Sequence, residues 1–290
     1  MKQILIISGK GGTGKTTILA SFAALAKNAV IADCDVDAPD LHLILKPEIK
    51  ETLKFRGSKT AIKDDSKCIG CGKCREVCRF DAVNENFEIE GILCEGCGAC
   101  VFVCPADAVK LKEKISGLAY MSETKYGPMS HAKLNIAEEA SGKLVTVVKE
   151  NAKKIAEKEN KNLILIDGSP GIGCPVIASL SGVDLAVIVA EPTMSGIHDL
   201  KRILSVAGHF NVKAVVCINK YDINIHNTNK IKDYCKKEGI DVIGKVPFDP
   251  VVTEAMVAGK PVVEFSCDEV SNEIKSMWNK IKILICNNIK

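Results

Sequence analysis

Eight of the fourteen cysteines fall into two runs that share one spacing. "CIGCGKCREVC" covers residues 68–78, "CEGCGACVFVC" covers residues 94–104, and both follow C-x2-C-x2-C-x3-C. Four thiolates are needed to hold a [4Fe–4S] cubane, and C-x2-C-x2-C lets one short loop supply three of them. Paired C-x-x-C also binds zinc, but eight cysteines in two identical runs exceed what a tetrahedral zinc ion uses. The spacing therefore predicts two iron–sulfur clusters.

These runs resemble the bacterial two-cluster ferredoxins, in which the last cysteine of each run serves the other cluster. The resemblance implies one [4Fe–4S] site made by Cys68, Cys71, Cys74 and Cys104, and a second made by Cys94, Cys97, Cys100 and Cys78. The glycines between the cysteines suit loops whose amides approach cluster sulfurs closely. One departure is Arg79, which stands where the pattern has proline, whereas the second run keeps Pro105. This alters local packing and leaves the ligands intact.

A second chemical signal is "GKGGTGKTT", which fits the phosphate-binding loop G-x-x-x-x-G-K-[ST]. The loop also contains G-x-G-x-x-G with Asp33 about twenty residues on, as a dinucleotide site would have. Lys15 and Thr16 decide between the two, because only a nucleoside triphosphate needs an ammonium on its β- and γ-phosphates and a hydroxyl on Mg²⁺. The predicted nucleotide-binding residues of the loop are Gly9, Gly11, Gly12, Thr13, Gly14, Lys15, Thr16 and Thr17.

An acidic residue for the Mg²⁺ ion should end another buried strand. "LILIDGSPG" supplies Asp167, and Gly171 could sense the γ-phosphate through its amide. The structural alternative is that Asp167 caps a helix.

The segments "KGGTGKTT", "DCDVDAPDL" and "DGSPGIG" together resemble the deviant Walker A ATPases, which include MinD, ParA, the Mrp-type iron–sulfur carriers and the nitrogenase iron protein. The resemblance implies a homodimer that sandwiches ATP, with Lys10 reaching the partner's phosphates and Asp35 orienting the attacking water and contacting the Mg²⁺ shell. It also implies that Asn219 meets the adenine and that the segment from Pro247 to Asp249 flanks the base. The roles of Asp33, Asp37 and Asp40 stay open. "NKYD" is similar to the guanine-reading motif of GTPases, so GTP is the alternative nucleotide.

The whole chain resembles a MinD-superfamily ATPase with an inserted ferredoxin domain, a group sometimes labelled after cobyrinic acid a,c-diamide synthase. No nucleophile-bearing glutaminase domain accompanies the loop, so an amidotransferase is not expected. We expect an α/β fold with a doubly wound, mainly parallel sheet over residues 1–54 and 115–290, and an inserted α+β ferredoxin domain over residues 55–114. Residues 116–146 carry few strand signals and are predicted to form a loop region.

Cysteines and histidines outside the runs have weaker signals. Cys174 lies seven residues after Asp167, at the offset where the nitrogenase iron protein places a cluster cysteine, but one cysteine per subunit cannot complete a bridge. We therefore expect Cys174 to be a buried structural thiol. The remaining cysteines are expected to be small core residues: Cys34, Cys217, Cys235, Cys267 and Cys286. His131 and His198 are assigned no role.

The composition limits the partners. A net charge of +3 and an aromatic content of 4% argue against nucleic acid. No apolar run approaches the length that spans a bilayer, and "KQILII" is too short for a signal peptide, so a cytoplasmic protein is expected and membrane association is not. The C-terminal segment from Glu269 is predicted to pack on the sheet, with a membrane-surface helix as the alternative.

The combination of an ATP site with two clusters predicts ATP-gated electron transfer to a partner protein. One alternative is cluster or metal-cofactor assembly, with an apo-protein as the acceptor. The other is a MinD-like positioning or regulatory ATPase with redox-sensing clusters.

Overall fold

The computed structural model describes residues 1–136, 138 and 141–286. The chain divides into two compact units. The first unit comprises Met1–Thr52, Ala119–Lys133 and Ser141–Lys290, and the second comprises Leu53–Leu118 and Leu134–Ala140. The predicted insert, residues 55–114, falls inside the second unit.

A nine-stranded sheet has the order β11-β10-β9-β1-β8-β2-β7-β6-β3, and a separate two-stranded sheet pairs β4 with β5. The strands are β1 (Lys2–Ile7), β2 (Ala29–Asp33), β3 (Glu48–Phe55), β4 (Ser58–Lys63), β5 (Val109–Lys114), β6 (Gly117–Thr124), β7 (Gly127–Leu134), β8 (Leu163–Asp167), β9 (Leu185–Ala190), β10 (Ala214–Asn219) and β11 (Val242–Val246). The seven strands from β11 to β7 pair in parallel. Except in β7, their mainly apolar sequences are typical of strands that are buried on both faces.

Helices connect the parallel strands, as the predicted doubly wound fold requires. The helices among the described residues are α1 (Lys15–Leu25), α2 (Leu41–Leu45), α3 (Lys73–Glu76), α4 (Ala99–Phe102), α5 (Ser141–Lys158), α6 (Cys174–Leu180), α7 (Met194–His209), α8 (Ile225–Lys237), α9 (Val251–Val257), α10 (Val262–Phe265) and α11 (Glu269–Cys286), with a 3₁₀ turn at Tyr221–Asn224. One face of the sheet packs against α1 and α11, where Phe22 and Trp278 lie with their ring centroids 5.3 Å apart. The predicted mainly parallel α/β fold is confirmed.

The prediction of a loop over residues 116–146 is wrong. Two eight-residue strands, β6 and β7, occupy most of it, and α5 begins at Ser141. β7 extends the parallel sheet by pairing with β2, with Asp33 opposite His131. The sequence did not suggest strands because "GLAYMSET" and "GPMSHAKL" are rich in glycine, serine and alanine, which have low strand propensity. Their burial beside β2 overrides that propensity.

The C-terminal helix α11 packs as predicted. Ile274, Met277, Trp278 and Ile281 are all buried in the core. Its apolar face is thus covered by protein, which removes the surface that the membrane-bound alternative required. Within the described residues, no helix combines the length and the hydropathy needed to cross a bilayer.

The second unit repeats one structure twice. Each cysteine run contains a one-turn helix, α3 or α4, that follows a glycine with positive φ: Gly72 at 74° and Gly98 at 81°. The two "DAV" tails also match, because Asp81 and Asp107 have φ of 50° and 49°. β4 and β5 pair in antiparallel register, with Ser58 opposite Lys114 and Lys63 opposite Val109. The internal repeat of the sequence is therefore a repeat of backbone conformation.

Candidate functional site

The phosphate-binding loop links the end of β1 to the first turn of α1. Gly14 has a φ of 90°, and a Cβ atom there would lie 2.4 Å from Nδ2 of Asn219. At Gly9, a Cβ atom would lie 2.5 Å from Cβ of Asp199. Both glycines are therefore required by close packing, and the loop amides stay exposed toward the mouth of a cavity at the N-terminus of α1.

The geometry of this cavity is set by strand ends, because parallel strands deliver their carboxyl ends to one edge of the sheet. Lys15 Nζ lies 2.8 Å from Oδ2 of Asp35, which follows β2. Thr16 donates from Oγ1 to Oδ2 of Asp167, the last residue of β8, at 2.8 Å. The predicted lysine, hydroxyl and two carboxylates thus come together in one place. Burial disfavours the charged form of Lys15, but Asp167 and Asp35 outweigh this effect and raise its pKa.

Two buried carboxylates beside Lys15 each have an oxygen without a partner. Oδ2 of Asp33 and Oδ1 of Asp167 accept no hydrogen bond, although both residues are about 1% exposed. The two residues face each other in register on β2 and β8. Burial is the main cause that raises the pKa of Asp167 to about 6, and burial together with the charge of Asp167 raises the pKa of Asp33. Unpaired buried oxygens of this kind have the chemistry of a cation site.

Lys10 is held within its own chain. Its Nζ lies 3.0 Å from Oε2 of Glu191, and it donates to Oγ1 of Thr193 at 3.4 Å. The other carboxylate oxygen of Glu191, Oε1, lies 2.6 Å from Nζ of Lys220. Burial opposes ionisation of Glu191, but the two lysines lower its pKa. Sequence reasoning assigned no role to Glu191 or Lys220; the signal was an acidic residue that ends the buried strand "DLAVIVAE".

The loop after β8 lies against the phosphate-binding loop. Gly171 donates its amide to the carbonyl oxygen of Ser8 at 3.0 Å. Ser169 donates from Oγ to the carbonyl oxygen of Cys34 at 2.6 Å, which ties this loop to the segment that carries Asp35. The predicted sensor amide is thus in place beside the loop, and here it bonds to protein backbone.

The far end of the cavity has the predicted base-flanking residues. Asn219 donates from Nδ2 to the carbonyl oxygen of Thr13 at 2.7 Å. Asp222, the aspartate of "NKYD", accepts a hydrogen bond from the amide of Phe248 at 2.7 Å, and Asp249 accepts one from the amide of Val251. The carboxylate that would read guanine is therefore used to hold the segment after β11. The cavity has a volume of about 640 Å³, and its walls also include Asp37, Asp40 and Pro247.

Two small cavities lie in the second unit. The first is lined by Cys68, Cys71, Cys74 and Cys104, and the second by Cys78, Cys94, Cys97 and Cys100. Each cavity therefore combines three cysteines of one run with the last cysteine of the other, the grouping that the ferredoxin resemblance implies. Among the described residues, no three His, Cys, Asp or Glu side chains converge on a point as ligands of a single ion would.

Backbone amides already point at some of these sulfurs. Cys94 accepts a hydrogen bond from the amide of Ala61, and Cys104 accepts one from the amide of Ala108, both at 3.3 Å. Hydrogen bonds from the backbone lower the pKa of the Cys104 thiol. For Cys94, partial burial opposes ionisation, but amide donors outweigh it and lower the pKa. These donors favour the thiolate, which is the form that binds iron.

Three expectations for the other cysteines are wrong. Cys174, which begins α6, is exposed, and so are Cys267 and Cys286. Cys34, Cys217 and Cys235 are buried, as expected. His131 is buried against Tyr120 and shares a 2.8 Å hydrogen bond with Ser122.

Comparison with known proteins gives one family and several relatives. The family model "CobQ/CobB/MinD/ParA nucleotide binding domain" matches residues 4–262. An uncharacterized protein of Methanocaldococcus jannaschii is 40% identical over 98% of this chain and 97% of its own. The iron–sulfur cluster carrier protein of the same organism is 22% identical over 96% of this chain and 83% of its own. The solved structure of the septum site-determining protein MinD with Mg-ADP from Pyrococcus horikoshii is 16% identical, with a TM-score of 0.60 over 98% of this chain and 97% of its own.

Proposed function

Because the chain belongs to the CobQ/CobB/MinD/ParA family of nucleotide-binding domains and is a MinD/ParA-type ATPase, we propose that its ATP cycle controls electron transfer through two [4Fe–4S] clusters to a partner protein. The observation that carries this proposal is the pair of four-cysteine cavities in the second unit. An ATPase that only positions other molecules has no need of eight cysteines in ferredoxin spacing.

When nucleotide binds, its phosphates would replace the Asp35 carboxylate as the partner of the Lys15 ammonium. The ammonium is paired with Asp35, and a triphosphate would compete for it with its β- and γ-phosphates. Asp35 would then be released to orient the attacking water. The loop amides and the N-terminus of α1 would hold the phosphates, and Asn219 with the segment from Pro247 to Asp249 would surround the base.

Mg²⁺ fits the acidic side of this cavity. Thr16 Oγ1 and Asp167 already lie together, and the unpaired oxygens of Asp33 and Asp167 offer acceptors for the ion or its water shell. When bound, the ion would neutralise charge that develops on the phosphates. Asp35 would contribute to the same shell.

The clusters fit the second unit. The eight cysteines line two cavities in two groups of four, and two identical four-cysteine runs suit two cubanes better than a single tetrahedral zinc ion. Amide donors at Cys94 and Cys104 would stabilise cluster sulfur and tune its potential. When bound, the clusters would supply one-electron chemistry at low potential. The chain itself supplies the ligands, the amide donors and the limits on solvent access.

The connectivity of the chain links the ATP site to the cysteine-bearing unit. Asp35 lies between β2 and α2, and β3 follows directly, running from Glu48 in the first unit to Phe55 in the second. A γ-phosphate that repositions Asp35 therefore acts on the segment that leads into the cysteine-bearing unit. The trans role of Lys10 would make this change depend on dimerisation, as an arginine finger does.

Two other functions have specific support. A cluster-carrier role is favoured by the relative that is named an iron–sulfur cluster carrier protein. A regulatory role is favoured by structural similarity to MinD, but the apolar face of α11, which this role would use as a membrane tether, is buried in the core.

An anaerobic redox titration followed by EPR separates the three. The reconstituted protein would be titrated without nucleotide, with ADP, and with ATP under non-hydrolysing conditions. We expect ATP to shift the cluster potentials or spectra. Loss of the clusters on ATP addition would instead identify a carrier. Stable clusters whose potentials and spectra do not change with nucleotide would exclude direct tuning of the clusters by ATP. Control of partner docking, or a regulatory role, would then remain.

A further inference from the structure

The two cysteine runs can be compared position by position, because residues 26 apart are equivalent. This offset relates Cys68 to Cys94 and Cys78 to Cys104. The backbones agree at the marker positions: Gly70 and Gly96 have φ of 67° and 63°, and α3 matches α4. A surface residue that differs in chemistry between equivalent positions is therefore not required by the backbone of the repeat.

Charge differs consistently between the two runs. The first run exposes four basic residues: Lys67, Lys73, Arg75 and Arg79. Their equivalents in the second run are all apolar: Leu93, Ala99, Val101 and Pro105. Ser66 and Glu76 are likewise replaced by the exposed apolar residues Ile92 and Phe102. The basic residues are thus confined to the first run, whereas the second run is apolar except for Glu95, which is equivalent to Ile69.

The basic residues accompany the first cavity. Lys73 lines it together with Lys63 and Ile69, and Lys67 directly precedes Cys68. Ile69 is 68% exposed, so an apolar side chain lies within the basic surroundings of the cavity. An apolar centre with a charged rim is the usual anatomy of a protein interface. We call Lys67, Ile69, Lys73 and Arg75 the basic face.

We propose that the basic face docks a small acidic redox protein, which exchanges electrons with the cluster of the first cavity. This inference rests on the proposed electron-transfer function. It identifies the surface through which electrons enter the protein. Complementary charge steers transient encounters and raises their association rate, and electron-transfer complexes are small and short-lived. One electron leaves the reduced iron centre of the acidic carrier and enters the first cluster, so the carrier is oxidised and the cluster is reduced by one electron each. The apolar second run lacks the charges for such steering.

The test measures binding and electron exchange with an acidic plant-type [2Fe–2S] ferredoxin as the probe. The full-length reconstituted protein is compared with the triple variant Lys67→Glu, Lys73→Glu, Arg75→Glu. A matched control reverses three exposed lysines of α8: Lys230→Glu, Lys236→Glu and Lys237→Glu. Reversal of Arg75 breaks only its exposed pair with Glu85, which contributes little to stability. Iron content and circular dichroism establish that both variants are folded and loaded.

We expect the wild type and the control to bind the oxidised ferredoxin with similar affinity at low salt, and the triple variant to bind it about tenfold or more weakly. The wild-type affinity should fall steeply with added salt. Equal weakening in the control, or no weakening in the triple variant, would overturn the proposal. If the triple variant lost affinity for a short RNA but kept its affinity for ferredoxin, the proposal would be overturned in favour of a nucleic-acid partner.

Electron exchange distinguishes this inference from the proposed function. If dithionite reduces the clusters in all three proteins while only the triple variant exchanges electrons slowly with ferredoxin, the docking face is supported. If all three proteins exchange electrons with ferredoxin at the same rate, the basic face is not the docking site, and the proposed electron-transfer function is unaffected. If dithionite reduces no cluster in any of them, the proposed function itself fails.

Discussion

Lys10 and Glu191 form an ion pair within one chain, with Nζ 3.0 Å from Oε2. Glu191 holds Lys220 through its other oxygen, so one buried carboxylate pairs with two ammonium groups beside the phosphate-binding loop. A lysine that acts on a partner subunit must first leave this carboxylate. The pair therefore sets a competition between a contact within the chain and one across the dimer.

Replacing Lys10 by alanine is predicted to spare ATP binding and to suppress dimerisation and hydrolysis. Lys15 and the loop amides hold the nucleotide without Lys10, whereas a cation delivered in trans acts on the transition state. By analogy with arginine fingers, we expect turnover to fall by about 10³-fold or more. Binding is measured with a fluorescent ATP analogue, dimerisation by light scattering and turnover by phosphate release. Unchanged turnover would refute the trans role.

The Glu191→Gln variant should favour the dimer. Loss of the carboxylate charge releases Lys10, and ATP-dependent dimerisation should then occur at several-fold lower protein concentration. Asp199→Asn is a suitable control, because Asp199 also lies beside the loop but pairs with the exposed residues His198 and Arg202. Analytical ultracentrifugation with ATP gives the dissociation constants. A dimer weakened in Glu191→Gln and unchanged in Asp199→Asn would mean that Glu191 stabilises the active arrangement instead.

Sequence motifs predicted residues that the fold brings together, Lys15, Thr16, Asp35 and Asp167, because their signals are local or lie at strand ends. A continuous apolar run that ends in Asp167 predicts both a buried parallel strand and the edge to which its carboxylate is delivered. The cysteine spacing likewise predicts a repeat whose loops share conformation, and Gly72 and Gly98 adopt matching backbones.

Tertiary contacts could not be predicted in the same way. The ion pairs of Glu191 join residues that are 181 and 29 positions apart, and no short motif links them. The strands β6 and β7 also lack a local signal, because their small and polar residues are ordered by the neighbouring sheet. Cys174 was expected to be buried, but it begins a helix and is exposed.

Acid should destabilise the protein partly through His131. Burial, followed by the nearby His42, lowers the pKa of His131 from 6.5 to about 4. As pH falls from about 6.5 to 4, His131 becomes protonated in the unfolded chain but stays neutral in the folded chain. The free energy of unfolding therefore falls in this window and levels off below it. The His131→Gln variant should lack this part of the loss, on the order of 2 kcal/mol.

Urea unfolding at pH 7 and pH 4.5 measures the effect. The control is His198→Gln, which changes an exposed histidine and should keep the full pH dependence. An identical loss in wild type and His131→Gln would show that other groups cause it.

Cysteine substitutions can establish the crossed ligand sets. A Cys71→Ala background should lose the first cluster and retain the second, so iron should fall from about eight to four atoms per chain. In that background, Cys78→Ser should remove the remaining cluster, whereas Cys104→Ser should leave it intact, because Cys78 alone of the two lines the second cavity. Iron and sulfide analysis with EPR of the reduced protein gives the counts. The opposite result would assign each run its own fourth ligand.

The equivalent glycines Gly70 and Gly96 offer a matched pair for packing around the clusters. Both have positive φ, so alanine adds about 1–2 kcal/mol of backbone strain at either position. Around Gly70 a Cβ atom meets nothing within 4 Å, whereas at Gly96 it would lie 2.2 Å from the carbonyl oxygen of Lys59 on β4. That clash must displace β4. Ala61 lies on the same strand, two residues after Lys59, and donates its amide to Cys94. We therefore expect Gly96→Ala to lose the second cluster severalfold faster in air than Gly70→Ala, as followed by the decay of the cluster absorbance. Equal rates would mean that β4 does not support the second cluster.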